Sequence, residues 1–144
     1  MEYMIRPIDY CEYDDLINLW GRSGLTYRPH GRDSRETMQV EFQRAETAIL
    51  GMYDREKMIG AVIAAHDGRR GWINRLAIDP DCRGQGLAGQ LIAECESFLF
   101  GCGIKIIACL IEEENLPSIS AFRKAGYIYG ENILYFSKRT SKDV

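Results

Sequence analysis

Apolar residues recur along the chain with two spacings, and their alternation predicts a mixed α/β fold. Strand-like runs are predicted at 3–7, 47–53, 58–66, 71–78 and 104–111, with two more near 127–130 and 133–138. Helical spacing is predicted at 11–21, 34–45, 84–100 and 115–125. Three strands in succession predict antiparallel hairpins, and the strand, helix, strand passage from 72 to 111 predicts one right-handed parallel crossover. We therefore expect a mixed, mostly antiparallel sheet of about seven strands, with helices on both faces.

The length and composition of the chain agree with one compact domain. No linker, repeat or low-complexity tract divides it, so a single domain is expected over residues 1–144. No apolar run is long enough to span a bilayer, and Met1–Met4 does not begin a secretory signal, so we expect a cytoplasmic location and no membrane partner. Residues expected in the core are Leu91, Ile92, Cys95, Phe98 and Leu99.

Charge and cysteine content exclude two classes of function. The net charge of −3 does not favour a nucleic-acid surface, which is normally basic. The five cysteines are odd in number and contain no C-x-x-C, and His30 and His66 are isolated, so reduced thiols and no metal site are expected.

A glycine-rich run between a predicted strand and a predicted helix carries the strongest chemical signal, Arg83-Gly84-Gln85-Gly86-Leu87-Ala88. The first N–H groups of a helix lack intrahelical partners and lie at the positive end of its dipole, so a phosphate can accept hydrogen bonds there. Glycine in a first helical turn costs about 1 kcal/mol relative to alanine, and phosphate binding would explain that cost at Gly86 and Gly89.

Two other kinds of phosphate loop fit this run less well. No Gly-Lys-Ser/Thr closes it, which excludes a nucleotide-hydrolase loop. The segment from Gly84 to Gly89 satisfies G-x-G-x-x-G, but the chain lacks the alternating strands and helices of a doubly wound dinucleotide-binding sheet. A nicotinamide-dependent oxidoreductase is therefore a distant alternative.

The chain resembles the GNAT superfamily of acyl-CoA-dependent N-acyltransferases in two segments. The superfamily pattern R/Q-x-x-G-x-G/A is matched by Arg83, Gly86 and Ala88, and the preceding residues 74–80 are similar to the family's fourth strand and turn. In the second segment, 115–127, an asparagine begins a helix that ends at a Gly-aromatic pair. The resemblance covers essentially the whole chain, although residues 1–45 match only in outline.

This resemblance implies a coenzyme and a reaction. The fourth and fifth strands are expected to splay apart, with the pantetheine of acetyl-CoA against the backbone of Leu76, Ala77 and Ile78. The reaction implied is acetyl transfer to a primary amine of a small molecule or peptide, by direct attack in a ternary complex, and a homodimer through the last strands is compatible with it. The other coenzyme-binding residues implied are Arg83, Gly84, Gln85, Gly86, Leu87, Ala88, Asn115, Ser118, Phe122, Arg123 and Lys124.

Attack on a thioester requires a neutral amine, and this requirement predicts a general base. A lysine-like amine is neutral about once in 2,500 at pH 7, a cost of about 4.6 kcal/mol, whereas an α-amino group needs less help. Glu112 and Glu113, at the end of the fifth strand, are the candidate bases. Since neighbouring strand side chains point to opposite faces, at most one can face the cleft. The resemblance implies the backbone N–H of Ile78 as the donor to the oxyanion.

The general acid is less well defined. Many superfamily members have a tyrosine at the position of Phe122, which this chain lacks. Tyr127 or Tyr129 could replace it, or the thiolate could leave unprotonated because the pKa of a thiol is only about 8.5. Cys82 or Cys109 as a nucleophile is less favoured, since no histidine lies nearby in sequence. The missing tyrosine makes a non-catalytic acyl-CoA-binding module the main alternative.

The region that lines the acceptor side in this superfamily corresponds to residues 20–35. It holds a cluster of arginines, and if these face the cleft they would favour an acceptor that carries a carboxylate or a phosphate. A solvated face is the alternative interpretation. The arginines are Arg22, Arg28, Arg32 and Arg35.

Overall fold

A five-stranded mixed sheet organises the computed structural model, which describes residues 3–142. The strands are β1 (Met4–Pro7), β2 (Thr47–Asp54), β3 (Lys57–His66), β4 (Gly71–Ile78) and β5 (Ile107–Ala108). The helices are α1 (Tyr13–Arg22), α2 (Arg35–Phe42), α3 (Leu87–Gly101) and α4 (Leu116–Lys124). The spatial order of the strands is their chain order, and all pairs are antiparallel except β4–β5. The predicted fold class is confirmed.

Side chains cap the starts of α2 and α4, α1 continues directly from a 3-10 turn (Tyr10–Glu12) that Asp9 caps, and α3 starts without a side-chain cap. The side chain of Ser34 accepts a hydrogen bond from Thr37 N at the start of α2, and that of Asn115 accepts one from Ser118 N at the start of α4. At the start of α3 the capping residue is Gly86, which has no side chain to cap the helix. The first N–H groups of α3 are therefore left without a side-chain acceptor.

Helices cover both faces of the sheet, as expected. On one face α3 packs over β2, β3 and β4, and on the other α1 and α2 pack against the same strands. Leu16, Leu19 and Trp20 of α1 are fully buried against this second face. The core positions predicted on α3 are confirmed: Leu91, Ile92, Cys95 and Leu99 are fully buried, and Phe98 packs against them.

The parallel pair of strands parts soon after it forms. Its ladder consists of Gly71 opposite Ile107 and Trp72 opposite Ala108. Beyond Trp72, and within residues 3–142, β4 has no ladder partner on this side as far as its end at Ile78. The predicted splay is confirmed, and it exposes the backbone edge of the second half of β4.

The strands predicted near 127–130 and 133–138 are wrong. No ladder pair of the described chain includes these residues, and the segment lies exposed, with Phe136 85% accessible. Alternating apolar residues favour a strand, but a strand forms only against the edge of a partner. The edge strand beyond β4 is β5, which contributes only two residues to the sheet and so offers little edge for a further strand. The observed sheet therefore has five strands in place of about seven.

Candidate active site

A cleft with a volume of about 950 Å³ opens where β4 and β5 part. Its wall combines the end of α1, the second half of β4, the loop into α3, one face of α3, the segment after β5, and α4. The residues that line it are Ser23, Gly24, Leu25, Leu76, Ala77, Ile78, Cys82, Arg83, Gly84, Gly86, Leu87, Ala88, Gly89, Ala93, Glu96, Glu112, Glu114, Asn115, Pro117, Ser118, Ser120, Ala121, Lys124 and Ala125.

The loop between β4 and α3 has the geometry of an anion cradle. Gly84 and Gly86 have φ values of 82° and 74°, a left-handed conformation that glycine adopts without strain. A Cβ at either position would meet no atom within 4 Å, so the space in front of the loop is open. Because α3 starts here without a side-chain cap, its N–H groups can donate to a phosphate in that space.

Asp79 fixes the loop to the rest of the molecule. Its buried carboxylate accepts hydrogen bonds from Asp81 N (2.9 Å) and Arg22 Nε (2.9 Å), and Lys57 Nζ lies 3.9 Å away. The net pKa of Asp79 is lowered: burial opposes ionisation, but the Asp81 N–H and the Arg22 guanidinium outweigh it. Arg83 also donates to Ser23 O (3.2 Å). The end of α1 and the start of the loop are thus held together.

Most predicted coenzyme-binding residues line this cleft. Three do not. Gln85 lies outside the lining and donates to Cys82 O (3.0 Å), which braces the loop. Phe122 is buried in the core and packs edge-on against Tyr127, with ring centroids 5.0 Å apart, so it forms no wall of the cleft. Arg123 is exposed on the outer side of α4.

The backbone of Ile78 points its polar groups into the splayed region. Asp79 N donates to Ile59 O (2.7 Å), in the direction of β3. Since N–H groups of successive strand residues point to opposite sides, the N–H of Ile78 faces away from β3 and towards the cleft. In agreement, its carbonyl accepts from Ser23 Oγ (3.4 Å), which lies outside the sheet.

The two candidate bases have different surroundings. Glu112 lines the cleft, whereas Glu113 does not, although both side chains are exposed. Glu114, which we did not single out from sequence, also lines it. The strand predicted at 104–111 is limited to Ile107–Ala108, so both glutamates lie in an irregular segment and the argument from strand alternation does not apply to them. Their placement relative to the cleft favours Glu112 as the candidate base.

Neither tyrosine considered as the acid lies in the cleft lining. The hydroxyl of Tyr127 donates to Glu96 Oε2 (2.9 Å), and burial, reinforced by Glu96, raises the pKa of Tyr127 above its ordinary value. Tyr129 is exposed. A phenol that already donates to a carboxylate and has a raised pKa is a poor proton shuttle, so this geometry does not support Tyr127 as the acid.

The arginine cluster does not face the cleft, contrary to the anionic-acceptor hypothesis. Arg22 pairs with Asp79, Arg32 lies 4.0 Å from Asp33, and Arg35 pairs with Asp14. None of the four arginines lines the cleft among the described residues. Three of the four guanidinium groups thus lie near carboxylates, whereas Arg28 Nε is buried without a hydrogen-bond partner among the described residues. The partners of Arg22 and Arg35 come from distant parts of the chain, which sequence spacing alone could not reveal.

The thiols near the cleft are not activated. Burial raises the pKa of Cys82 and of Cys109, which disfavours the thiolate.

Within residues 3–142, no three or more His, Cys, Asp or Glu side chains are grouped so as to hold a metal ion. In the same part of the chain, no helix combines the length and apolar character needed to cross a membrane.

Within the range 20–35, which the resemblance assigns to the acceptor side, Ser23, Gly24 and Leu25 line the cleft directly after α1. Sequence reasoning missed most of another part of the wall, the facing surfaces of α3 and α4. The cleft is lined there by small residues at helical spacing: Gly89 and Ala93 on α3, and Ala121 and Ala125 on and directly after α4. Their small side chains leave space between the two helices. This spacing could have indicated a cleft-facing surface from the sequence.

Comparison with known proteins identifies the family. Residues 13–127 match the family model described as Acetyltransferase (GNAT) family. The chain belongs to the GNAT acetyltransferase family. Acetyltransferase SG1711 of Sodalis glossinidius (strain morsitans) is 27% identical over 139 residues, which cover 96% of each chain. This GNAT protein is therefore an acyltransferase by family.

Solved structures of low sequence identity share its fold. The structure of AAC(6')-Iy in complex with the bisubstrate analogue CoA-S-monomethyl-acetylneamine has a TM-score of 0.78 at 19% identity, covering 96% of this GNAT chain and 99% of its own. The PaiA N-acetyltransferase of Thermoplasma acidophilum, in complex with coenzyme A, has a TM-score of 0.75 at 18% identity, covering 86% and 88%.

Proposed function

We propose that this GNAT protein transfers the acetyl group of acetyl-CoA to a primary amine in a ternary complex. The observation that carries the proposal is the uncapped start of α3 behind Gly84 and Gly86, at the mouth of a cleft bounded by the free edge of β4. The loop suits a diphosphate, and the free strand edge suits the amide groups of pantetheine. AAC(6')-Iy and PaiA were solved with a CoA analogue and coenzyme A, which agrees with this assignment.

Each group of residues in the cleft has a distinct role in the proposed reaction. Arg83 and Lys124 place positive charge near the phosphates, Asn115 and Ser118 lie at the start of α4, and the N–H of Ile78 stabilises the oxyanion. Glu112 accepts the proton of the attacking amine, directly or through water. The thiolate leaves without a dedicated acid, since its protonated form has a pKa of only about 8.5.

We further propose a cationic acceptor, such as an aminosugar or a polyamine. Glu112 and Glu114 line the cleft, and the arginines that would have recognised an anion do not. Carboxylates near the reacting amine attract an acceptor with several ammonium groups. The ligand named for AAC(6')-Iy contains acetylneamine, an aminosugar derivative, which is consistent with this class.

Calorimetry with acetyl-CoA tests the coenzyme assignment. We expect Gly86→Glu to abolish binding, because its carboxylate would occupy and repel the phosphate position. Gly68→Glu is the matched control: Gly68 also has a left-handed conformation and open surroundings, but it lies between β3 and β4, outside the cleft lining. Equal affinity of parent and Gly86→Glu would refute the proposal.

Thiol release distinguishes the enzyme from its alternatives. With spermidine or neamine we expect acetyl-CoA-dependent release of CoA, and a weaker rate with L-glutamate. Tight acetyl-CoA binding without release for any amine would favour the acyl-CoA-binding module, while preference for NADH over acetyl-CoA would favour the oxidoreductase.

A homodimer through the C-terminal segment is a further part of the proposal. Residues 128–136 expose apolar side chains that a single copy leaves uncovered, among them Ile133, Leu134 and Phe136. A patch of this kind marks an interaction surface, and a second copy of the chain would cover it.

A further inference from the structure

Arg75 occupies an irregular point of β4. Ala61 pairs with Ala77 but Ile63 with Asn74, so two residues of β4 oppose one of β3. At this bulge Arg75 has φ of 58°, a conformation that residues with a side chain rarely adopt. An unfavourable conformation of this kind persists only where surrounding contacts hold it, and it often marks a functional position.

The guanidinium of Arg75 connects both ends of the segment between α1 and α2. One nitrogen donates to Asp33 Oδ2 (2.8 Å) and another to Thr26 O (3.2 Å). The group also stacks on the Trp20 ring, 4.8 Å from its centroid. The Arg75 and Asp33 side chains are 16% and 6% exposed, so the pair is shielded from water.

Asp33 also forms hydrogen bonds within the segment between α1 and α2. Its carboxylate accepts from Arg28 N (2.7 Å), its own N donates to Arg28 O (2.9 Å), and its carbonyl accepts from the Tyr13 hydroxyl. At the other end, Thr26 follows Ser23, Gly24 and Leu25, the residues directly after α1 that line the cleft. The Arg75–Asp33 pair therefore holds the segment that continues from this rim, in addition to the hydrogen bonds that Ser23 makes with Arg83 and Ile78.

We propose that Arg75 is a positioning residue that, through Asp33 and Thr26, fixes the rim 23–25 and thereby sets the affinity for the amine acceptor. Arg75 itself does not line the cleft. The loop assigned to acetyl-CoA contacts the rim directly, through Arg83 and Ser23 O, and this contact involves neither Arg75 nor Asp33. Loss of the pair should consequently weaken acceptor binding and spare acetyl-CoA binding. This inference rests on the proposed transferase function.

The test uses Arg75→Lys, Asp33→Asn and the double variant in the full chain. We expect the KM for spermidine or neamine to rise at least tenfold in each single variant, with kcat lowered less than KM is raised and the Kd for acetyl-CoA within twofold of the parent. Because the two side chains act as one unit, the double variant should be no worse than either single variant.

Matched controls come from the exposed pair of Arg35 and Asp14, which joins α2 to α1 away from the cleft. Arg35→Lys and Asp14→Asn make the same chemical changes, and both should leave the acceptor KM unchanged. A KM that stays at the parental value in Arg75→Lys and Asp33→Asn overturns the proposal. Equal losses in acceptor KM and acetyl-CoA Kd also overturn it, since they indicate a general structural role. Absence of acetyl-CoA binding by the parent would instead be the failure of the proposed function.

Discussion

Two adjacent glutamates of identical chemistry lie in different positions after β5, and this difference is directly testable. Glu112 lines the cleft and Glu113 does not. If Glu112 is the general base, Glu112→Gln should lower kcat/KM about 100-fold at pH 7, within the usual range for such catalysis. Steady-state thiol release with spermidine measures it, with Glu113→Gln as the control, which should stay within about twofold of the parent.

The pH profile strengthens this prediction. As pH approaches the pKa of the acceptor amine, more of the amine is already neutral, so the deficit of Glu112→Gln should shrink. A deficit that is constant with pH, or an equal loss in Glu113→Gln, would contradict the role of Glu112 as base.

Glu12 illustrates a residue whose ionisation supports the fold. The Arg6 guanidinium, with further donors at Asp9 N and the Tyr53 hydroxyl, outweighs burial and lowers the pKa of Glu12 from 4.5 to about 2. Its side chain is 17% exposed. A carboxylate whose pKa is lowered by folding stabilises the native state above its unfolded pKa, and this stabilisation is lost as pH falls from about 4.5 towards 2.

We therefore expect Glu12→Gln to lower the free energy of unfolding by about 1–2 kcal/mol at pH 7, less than the full pKa shift implies because Arg6 is partly solvated. The difference from the parent should shrink as the pH falls below 4.5. Urea unfolding at several pH values measures it, and Glu56→Gln, in the exposed β2–β3 turn, is the control. A difference that is unchanged at pH 3 would contradict this account.

At the level of elements, the start of α4 serves two purposes that substitutions can separate. The Asn115 side chain accepts from Ser118 N (3.3 Å) and caps the helix, and the same residue lines the cleft. Asn115→Ala should cost about 1 kcal/mol of stability. Asn115→Asp keeps the cap but adds negative charge to the wall of the cleft proposed to hold the anionic acetyl-CoA, so it should retain stability and weaken acetyl-CoA binding at least tenfold.

Ser34→Ala is the control for this prediction, because Ser34 caps α2 in the same way outside the cleft. It should lose similar stability in urea unfolding and bind acetyl-CoA like the parent. Parental acetyl-CoA affinity in Asn115→Asp would limit Asn115 to helix capping.

Elements specified by neighbouring residues could be predicted from sequence, and those that need distant partners could not. β4 (Gly71–Ile78) was predicted with its observed bounds, because its apolar run ends at a Pro-containing turn. The glycine-rich loop before α3 is local, and the structure shows the left-handed glycines and uncapped helix start on which its prediction depends, while phosphate binding stays a prediction. The Arg75–Asp33 pair joins residues 42 apart, and the failed strands at 127–138 required a neighbouring edge. Local periodicity shows neither which distant residues form a pair nor whether a strand edge is available beside a segment.

At the scale of the whole molecule, charges of both signs line the cleft. Arg83 precedes α3 and Lys124 ends α4, whereas Glu112 and Glu114 follow β5 and Glu96 lies on α3. Under the proposed function, an anionic coenzyme and a cationic acceptor would be directed to different parts of this cavity, although the chain as a whole carries a net charge of −3. The arrangement suits a ternary complex, since both substrates can be bound at once.

The exposed C-terminal segment gives the last prediction, which concerns assembly. Burying apolar surface is worth roughly 25 cal/mol per Å², so covering the large side chains of residues 128–136 would favour association. We expect light scattering at micromolar concentration to give twice the 16.4 kDa mass of one chain. The variant Ile133→Lys with Phe136→Lys should be monomeric, because two ammonium groups would have to be desolvated in the interface. Val40→Lys, an exposed apolar position on α2, should remain dimeric, and a monomeric parent would contradict the dimer.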